Sequence, residues 1–519
     1  MSARPSPRCF GLRAPKDKGH SLNKSGVHVR RVAIGGLWVK ASMALVLGLL
    51  APLASAQEEA PPAEPDQEAE APPDEAPPEP GVMAQAPTGL GPVVVDEIQV
   101  VGPEKTRPET VQDYSRVDVG DTLTTEELNR IERRLIATGL FQEVKVDTQP
   151  TTAGHIRMLI QVKDKASWVV APTFSVSNSN IGGGVLYAES NLWGRSKKFA
   201  AAAQVSTAES GLFVGFLDPN LFGWPPVRLS LEGQLRSDRV EEYRLDASQD
   251  NPEVMRRTRL NSASAASELS LMIAERVRVG AKYRIMLIDA QGPHQDTPVT
   301  EPAFEPGPVQ RDASLRLLVG IDTRQNLQAI MEGLNLEGSL EVSNPGVGSD
   351  FRYKRFGLLY RHGVRFFQEH NLVLRGEAVA GMDLPFHQEL VAGGSSLRGF
   401  LYRQFRGDTR LSFTAEYHFP LFTIRSLSFR GVGFSDTGML MWRSLPANGQ
   451  LRDINGRVVR GYLPESKSGL DGATVAQGVG VGLRLFLRSV VLPLVGVDAA
   501  YGVNSGELRF YIVAGVNPS

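Results

Sequence analysis

Between Thr474 and Arg488 the chain alternates with a period of two. Val475, Val479, Val481, Leu483, Leu485 and Leu487 share one face, opposed by Gly478, Gly480, Gly482, Arg484, Phe486 and Arg488. Successive side chains of a strand point to opposite sides, so this is the pattern of a sheet with one apolar and one polar face. It recurs from Trp168 to the end of the chain, in segments near 168–176, 182–191, 197–206, 210–218, 226–236, 258–273, 276–289, 312–322, 333–343, 351–365, 371–381, 408–419, 426–437, 474–488, 490–502 and 507–516. These are about sixteen strands, each long enough to cross a bilayer when tilted. A soluble sandwich would also alternate. Here charged residues sit at many polar-face positions, and short turns alternate with long loops, which suits a membrane barrel around a hydrated lumen. An even strand count places both ends of the barrel on one side of the membrane. The loops near 237–257, 290–311 and 439–473 are too irregular to assign.

Before Trp168 the pattern changes. Val93 to Val101 reads as a strand, and Pro108 to Tyr114 as a short helix with proline in its first turn. Thr124-x-x-Glu127 is a capping box, followed by Leu128, Ile131 and Leu135 on one helical face. Phe141 to Asp147 and His155 to Lys163 alternate as strands. Residues 93–165 are thus expected to form a small α/β domain, and residues 166–519 the barrel. Residues 57–92 are rich in Pro, Glu and Ala, with no basic residue. Such a composition predicts a disordered acidic linker, read either as a spacer or as a docking peptide. Residues 1–56 carry scattered Lys and Arg, the apolar run Met43 to Leu53, and then Ala54-Ser55-Ala56, the grammar of a secretory signal. The sole cysteine, Cys9, lies in that segment, so the processed chain is expected to lack thiols.

Composition adds little beyond this. A mean hydropathy of −0.16 resembles that of a soluble protein, but alternating faces average out in a barrel. A formal net charge of −1 argues against nucleic acid as a partner.

One loop carries candidate chemistry: Gly393-Gly394-Ser395-Ser396-Leu397-Arg398-Gly399-Phe400. The strand after it puts Glu416 on its polar face, and the next puts Arg430, Val432, Phe434 and Asp436 on one face, with Gly438 two residues beyond. Two carboxylates on neighbouring strands can flank one guanidinium while an aromatic ring covers it. Leu397 to Phe400, Glu416 to Leu421 and Phe434 to Gly438 resemble the loop and strand motifs of the outer-membrane assembly and translocation barrels, the BamA/TamA-type superfamily (bacterial surface antigens), which includes two-partner secretion transporters such as FhaC. Asn191 to Arg195, Asp218 to Gly223 and Asp322-Thr323-Arg324 resemble its turns, and the 93–165 unit resembles a single POTRA domain.

The resemblance implies that Leu397, Arg398, Gly399 and Phe400 anchor a loop in the lumen against Glu416, Phe434, Asp436 and Gly438. It also implies a lateral seam between the first and last strands, at Trp168, Val170 and Phe174 facing Leu508, Phe510 and Ile512. The implied location is the outer membrane, with the POTRA domain and linker in the periplasm. The implied partners are unfolded outer-membrane or secreted client proteins, outer-membrane lipid, and accessory chaperones or subunits, with no nucleic acid. Three functions stand open: insertion of clients through POTRA strand addition and the seam, secretion of one unfolded protein through the lumen, and a passive channel or receptor. No Gly-x-Ser-x-Gly, His-Glu-x-x-His or phosphate-binding loop occurs, so no enzyme, cofactor or metal is expected, and His387 and His418 read as loop and lumen residues.

Overall fold

The structure, a computed structural model, describes residues 92–514 except 153, 178–179, 225, 245–251, 275, 292–307, 328–329, 425–426 and 488–489. The expected signal segment, nearly all of the expected linker and the chain end after 514 lie outside the described residues.

The N-terminal domain runs β1 (Val93–Val101), α1 (Pro108–Ser115), β2 (Thr122–Leu123), α2 (Thr125–Ala137), β3 (Phe141–Thr152) and β4 (His155–Asp164). Its sheet has the order β2-β1-β4-β3, with β1 and β4 parallel and the others antiparallel. The capping box is formed, with the Thr124 amide donating to Glu127 Oε2 at 2.7 Å and the Glu127 amide to Thr124 Oγ1 at 3.3 Å. Val95, Val111, Ile131, Leu135, Met158 and Ile160 close the core between helices and sheet. Among the described residues the outer edge of β3 has no strand beside it.

Sixteen antiparallel strands follow and close on themselves. They are β5 (Trp168–Ser177), β6 (Asn180–Leu192), β7 (Lys197–Ser206), β8 (Glu209–Asp218), β9 (Val227–Tyr243), β10 (Val254–Ala274), β11 (Val277–Gln291) and β12 (Gln310–Asp322). The series continues with β13 (Ile330–Ser343), β14 (Tyr353–Phe366), β15 (His370–Met382), β16 (Thr409–Ile424), β17 (Leu427–Met441), β18 (Thr474–Leu487), β19 (Val490–Gly502) and β20 (Leu508–Ala514). Each segment expected from alternation corresponds to one strand. The region near 237–257 is largely strand, because β9 and β10 pair from Tyr243↔Val254 down to Val227↔Leu271, beyond the apolar stretch. Their upper residues are charged, which is why alternation of apolar side chains does not mark them. The segment 442–473 holds a small hairpin, Gln450–Arg452 with Val458–Gly461.

The apolar faces point outward. Val481 is 66%, Val205 59% and Val319 53% exposed, and Leu231, Leu269, Leu317, Phe356 and Phe413 lie on the same outer surface. So wide an apolar band on the outside of a closed barrel matches a lipid boundary. The inner face carries the charges.

Strand pairing is uneven around the wall. β10 and β11 pair over fifteen positions. The closing pair, β5 with β20, has four among the described residues: Tyr511↔Ser177, Ile512↔Val176, Val513↔Ser175 and Ala514↔Phe174.

Candidate functional site

The segment between β15 and β16, residues 383–408, folds inward rather than out. Gly399 adopts φ +99, and a Cβ there would meet the Gly502 amide nitrogen at 2.7 Å. Only glycine permits both the left-handed turn and this approach to the wall. Gly478 on β18 is the reciprocal gap, since a Cβ would lie 1.8 Å from the Arg398 carbonyl oxygen. Leu397 and Phe400 are each 1% exposed and pack with Ala392, Phe405, Leu440 and Ala476. Gly438 on β17 leaves room for Leu397, with a Cβ there 3.1 Å from Leu397 Cδ2.

Arg398 is thereby carried into the barrel wall. Its Nε donates to Asp436 Oδ2 at 2.6 Å, and Nη2 to Asp436 Oδ1 at 2.9 Å. Nη2 also lies 2.8 Å from Glu416 Oε1, and Nη1 donates to Asp498 Oδ2 at 3.1 Å. The guanidinium carbon stands 3.4 Å above the centre of the Phe434 ring. Every edge of the planar fork is engaged and one face is covered, which no point charge could reproduce. The carboxylates are shared outward. Arg375 sits 3.2 Å from Glu416 Oε2, Arg484 donates to Asp498 at 2.5 and 2.9 Å, and His418 Nε2 lies 3.2 Å from Glu416. Three arginines thus face three carboxylates, so the buried cluster is neutral apart from His418. Tyr511 on β20 fixes the loop backbone: its hydroxyl accepts from the Gly399 amide at 3.0 Å and donates to the Phe400 carbonyl at 3.1 Å.

Five residues on, the loop reaches another part of the wall. Arg403 pairs with Glu209 on β8 at 2.8 Å and with Asp238 on β9 at 3.4 Å. The loop is therefore a strap across the lumen. Above it Arg406 pairs with Glu389 at 2.8 Å, Glu389 with Arg460 at 2.7 Å, and Arg460 with Glu242 at 2.6 Å, so the 442–473 segment is tied to the strap and to β9. A cavity of about 490 Å³ remains in the lumen beside the strap, lined by both signs of charge, among them Arg236, Lys282, Arg316, Glu232, Glu337 and Glu341. His387 meets Asp312 at 2.8 Å and is a buried structural contact.

Glu416, Phe434, Asp436 and Gly438 therefore surround Leu397 to Phe400. Of the seam residues, Phe174 and Ile512 lie in the four closing pairs. Trp168 and Val170 pair with β6 at Glu189 and Tyr187, while Leu508 and Phe510 pair with β19 at Tyr501 and Ala499. Among the described residues none of these four pairs across the seam. Sequence reasoning missed Asp498, Tyr511, Arg375 and Arg484. Asp498 did leave a signal, as the only acid in the apolar strand β19.

The N-terminal domain is docked on the turn between β6 and β7. The Arg107 amide and the Thr110 hydroxyl both donate to the Gly194 carbonyl at 2.9 Å, Lys105 Nζ donates to Glu189 at 2.7 Å, and Asn191 Nδ2 donates to Thr106 Oγ1 at 2.8 Å. In the same region Asp164 accepts from the amides of Glu104, Lys105 and Thr106 and from the Thr106 hydroxyl. Burial opposes the Asp164 charge, but those four donors outweigh it and hold the carboxyl below the ordinary carboxylate range.

Comparison with known proteins places this architecture. The Omp85 superfamily domain matches residues 191–505, and a POTRA model, described as a surface antigen variable number repeat, matches residues 93–165. The outer membrane protein assembly factor BamA of Neisseria meningitidis is 38% identical over 67 residues, a stretch that is 13% of this chain and 8% of that relative. BamA of Haemophilus ducreyi lacking POTRA domains 1–3 superimposes with a TM-score of 0.53 at 14% identity, covering 81% of this chain and 84% of that one. CdiB of Acinetobacter baumannii gives 0.54 at 13% identity, over 82% and 74%.

Proposed function

The chain belongs to the Omp85 superfamily and is a protein of the outer membrane with its POTRA domain in the periplasm, and from that premise we propose that it assembles client polypeptides into that membrane. The carrying observation is the contrast in strand pairing among the described residues: four pairs close the barrel, where fifteen join β10 to β11. Below Phe174, β5 has no partner on its seam side among the described residues; an edge left open there would present a row of backbone donors and acceptors at the inner edge of the membrane. Lipid cannot satisfy such groups, whereas an arriving client strand can, and it would enter the bilayer with its own backbone paired. The uncovered edge of β3 offers a first, sequence-tolerant contact in the periplasm. No covalent step, nucleotide or cofactor enters this route. The name of the Neisseria relative, an assembly factor, agrees with it.

A second reading is secretion through the lumen, and the strap favours it by standing where a gate would have to be. Passage would require Arg398 and Arg403 to leave their carboxylates. An open passive channel is the least consistent with a lumen crossed by this strap.

Depletion of the protein followed by quantitative proteomics of outer membrane and medium separates the three. Loss of several unrelated barrel proteins supports assembly; loss of one secreted protein with barrels intact supports secretion; no change in either fraction refutes both. A disulfide between cysteines at Val176 and Ile512, register partners in the seam, should block assembly until it is reduced and leave lumen secretion untouched.

A further inference from the structure

The periplasmic mouth of the lumen holds a group of cations. Lys198, Arg228, Arg278, Arg324, Arg361 and Arg375 belong to β7, β9, β11, the β12–β13 turn, β14 and β15. Lys198 is not free, and three of the others face acids. Arg278 donates to Glu268 at 2.9 Å and Glu337 at 2.6 Å, Arg324 holds Asp322 at 2.9 and 2.7 Å, and Arg375 faces Glu416. Arg228 and Arg361 differ, since the Nε of each is buried with no hydrogen-bond partner among the described residues. Charged groups near Arg228 include Arg278, Lys198 and Asp322; those near Arg361 include Arg375, Arg324, Glu377 and Asp322. Asp322, the acid common to both, is already engaged by Arg324, and Glu377 is held by Arg410 at 2.5 Å. A half-buried guanidinium among other cations is poorly stabilised unless an anion joins it.

The same chain supplies a candidate anion. Residues 57–92 contain nine Asp and Glu and no Lys or Arg, and they join directly to β1 at Val93. At about 3 Å per residue in a proline-rich chain, such a segment reaches on the order of 100 Å. The nine residues of β1 span only about 30 Å. The domain that bears the segment abuts the cations, because Tyr114 of α1 bonds Ser196 at 3.1 Å and stands beside Arg228.

We propose that the acidic stretch 57–80 binds in cis to the cationic arc centred on Arg228 and Arg361. Proline recurs every few residues among the carboxylates, a composition that favours spaced acids able to reach separate guanidinium groups.

The test places a photo-crosslinking residue at Gln67 of the full-length protein in detergent and maps its products by mass spectrometry. The expected products lie on β7, β9 and β14 of the same molecule. Their yield should fall about five-fold or more between 0.05 and 1 M NaCl, as the screening length contracts to about 3 Å. Arg228→Glu with Arg361→Glu should abolish them while the protein keeps its heat-dependent gel mobility. Adding Glu64→Lys, Asp66→Lys, Glu68→Lys and Glu70→Lys to that variant should restore them. Products spread over the outer POTRA surface, products between copies that vanish on dilution, or a yield indifferent to salt and to the charge reversals would overturn the proposal.

Discussion

Arg398 is the residue on which the strap turns. Removing it leaves Glu416, Asp436 and Asp498 facing one another with two arginines between them, a loss on the order of 3 kcal/mol for a buried pair broken from one side. Arg398→Ala is therefore expected to expose residues 393–404 to protease and to lower the temperature at which the folded gel band disappears; an unchanged cleavage pattern would refute the anchor. Arg398→Lys should behave nearly as badly, because one ammonium cannot serve three carboxylates and a ring. Phe434→Leu keeps the packing but removes the cation–π contact, a smaller loss of about 1 kcal/mol. Gly478→Ala should mimic Arg398→Ala without touching a charge, because its methyl would occupy the place of the Arg398 carbonyl oxygen. Glu416, Phe434 and Asp436 were legible because a period of two fixes which face each occupies. Asp498 and Tyr511 were not, since nothing local tells which distant strand a loop residue will meet.

At the scale of elements, the joint between the POTRA domain and the barrel depends on a single turn. Gly194 has φ +70, and a Cβ there would lie 2.1 Å from the Lys105 carbonyl oxygen. Gly194→Ala is expected to release the domain, seen as faster amide exchange at residues 104–110 with the barrel's exchange unaltered. The joint also has a pH dependence of known sign. The folded carboxyl of Asp164 titrates below its unfolded value, so its contribution is complete above about pH 4 and is lost as pH falls through the folded value. Tryptophan fluorescence should report this step below about pH 4 through Trp168 and Trp193, and Asp164→Asn should abolish it. The capping box and α2 were readable from four residues. The joint was not, because its donors are mainly backbone amides and carbonyls, which any sequence possesses.

For the whole molecule, two unequal closures stand out. The far end of the lumen is spanned by a chain of charges from Arg406 through Glu389 and Arg460 to Glu242, with Arg403 paired separately to Glu209. The wall is shut, among the described residues, by four strand pairs. Separating those four pairs disturbs far fewer backbone hydrogen bonds than parting any long interface such as β10 with β11, so amide exchange in the membrane-embedded protein is expected to be fastest at 174–177 and 511–514. Uniform protection around the barrel would count against lateral opening.

What the sequence determined by itself is the set of strands, their inward and outward faces, the small α/β domain before them and the inward-facing arginine motif. These follow from local periodicity and capping, which operate over a few residues. The tertiary structure alone decided that the strap spans two parts of the wall, that Asp498 and Tyr511 complete the anchor, that the 442–473 segment joins it, and that among the described residues the seam is the shortest pairing in the barrel. Each of these is a contact between residues far apart in the chain. Such contacts depend on how sixteen strands close and tilt together, which no short stretch of sequence encodes.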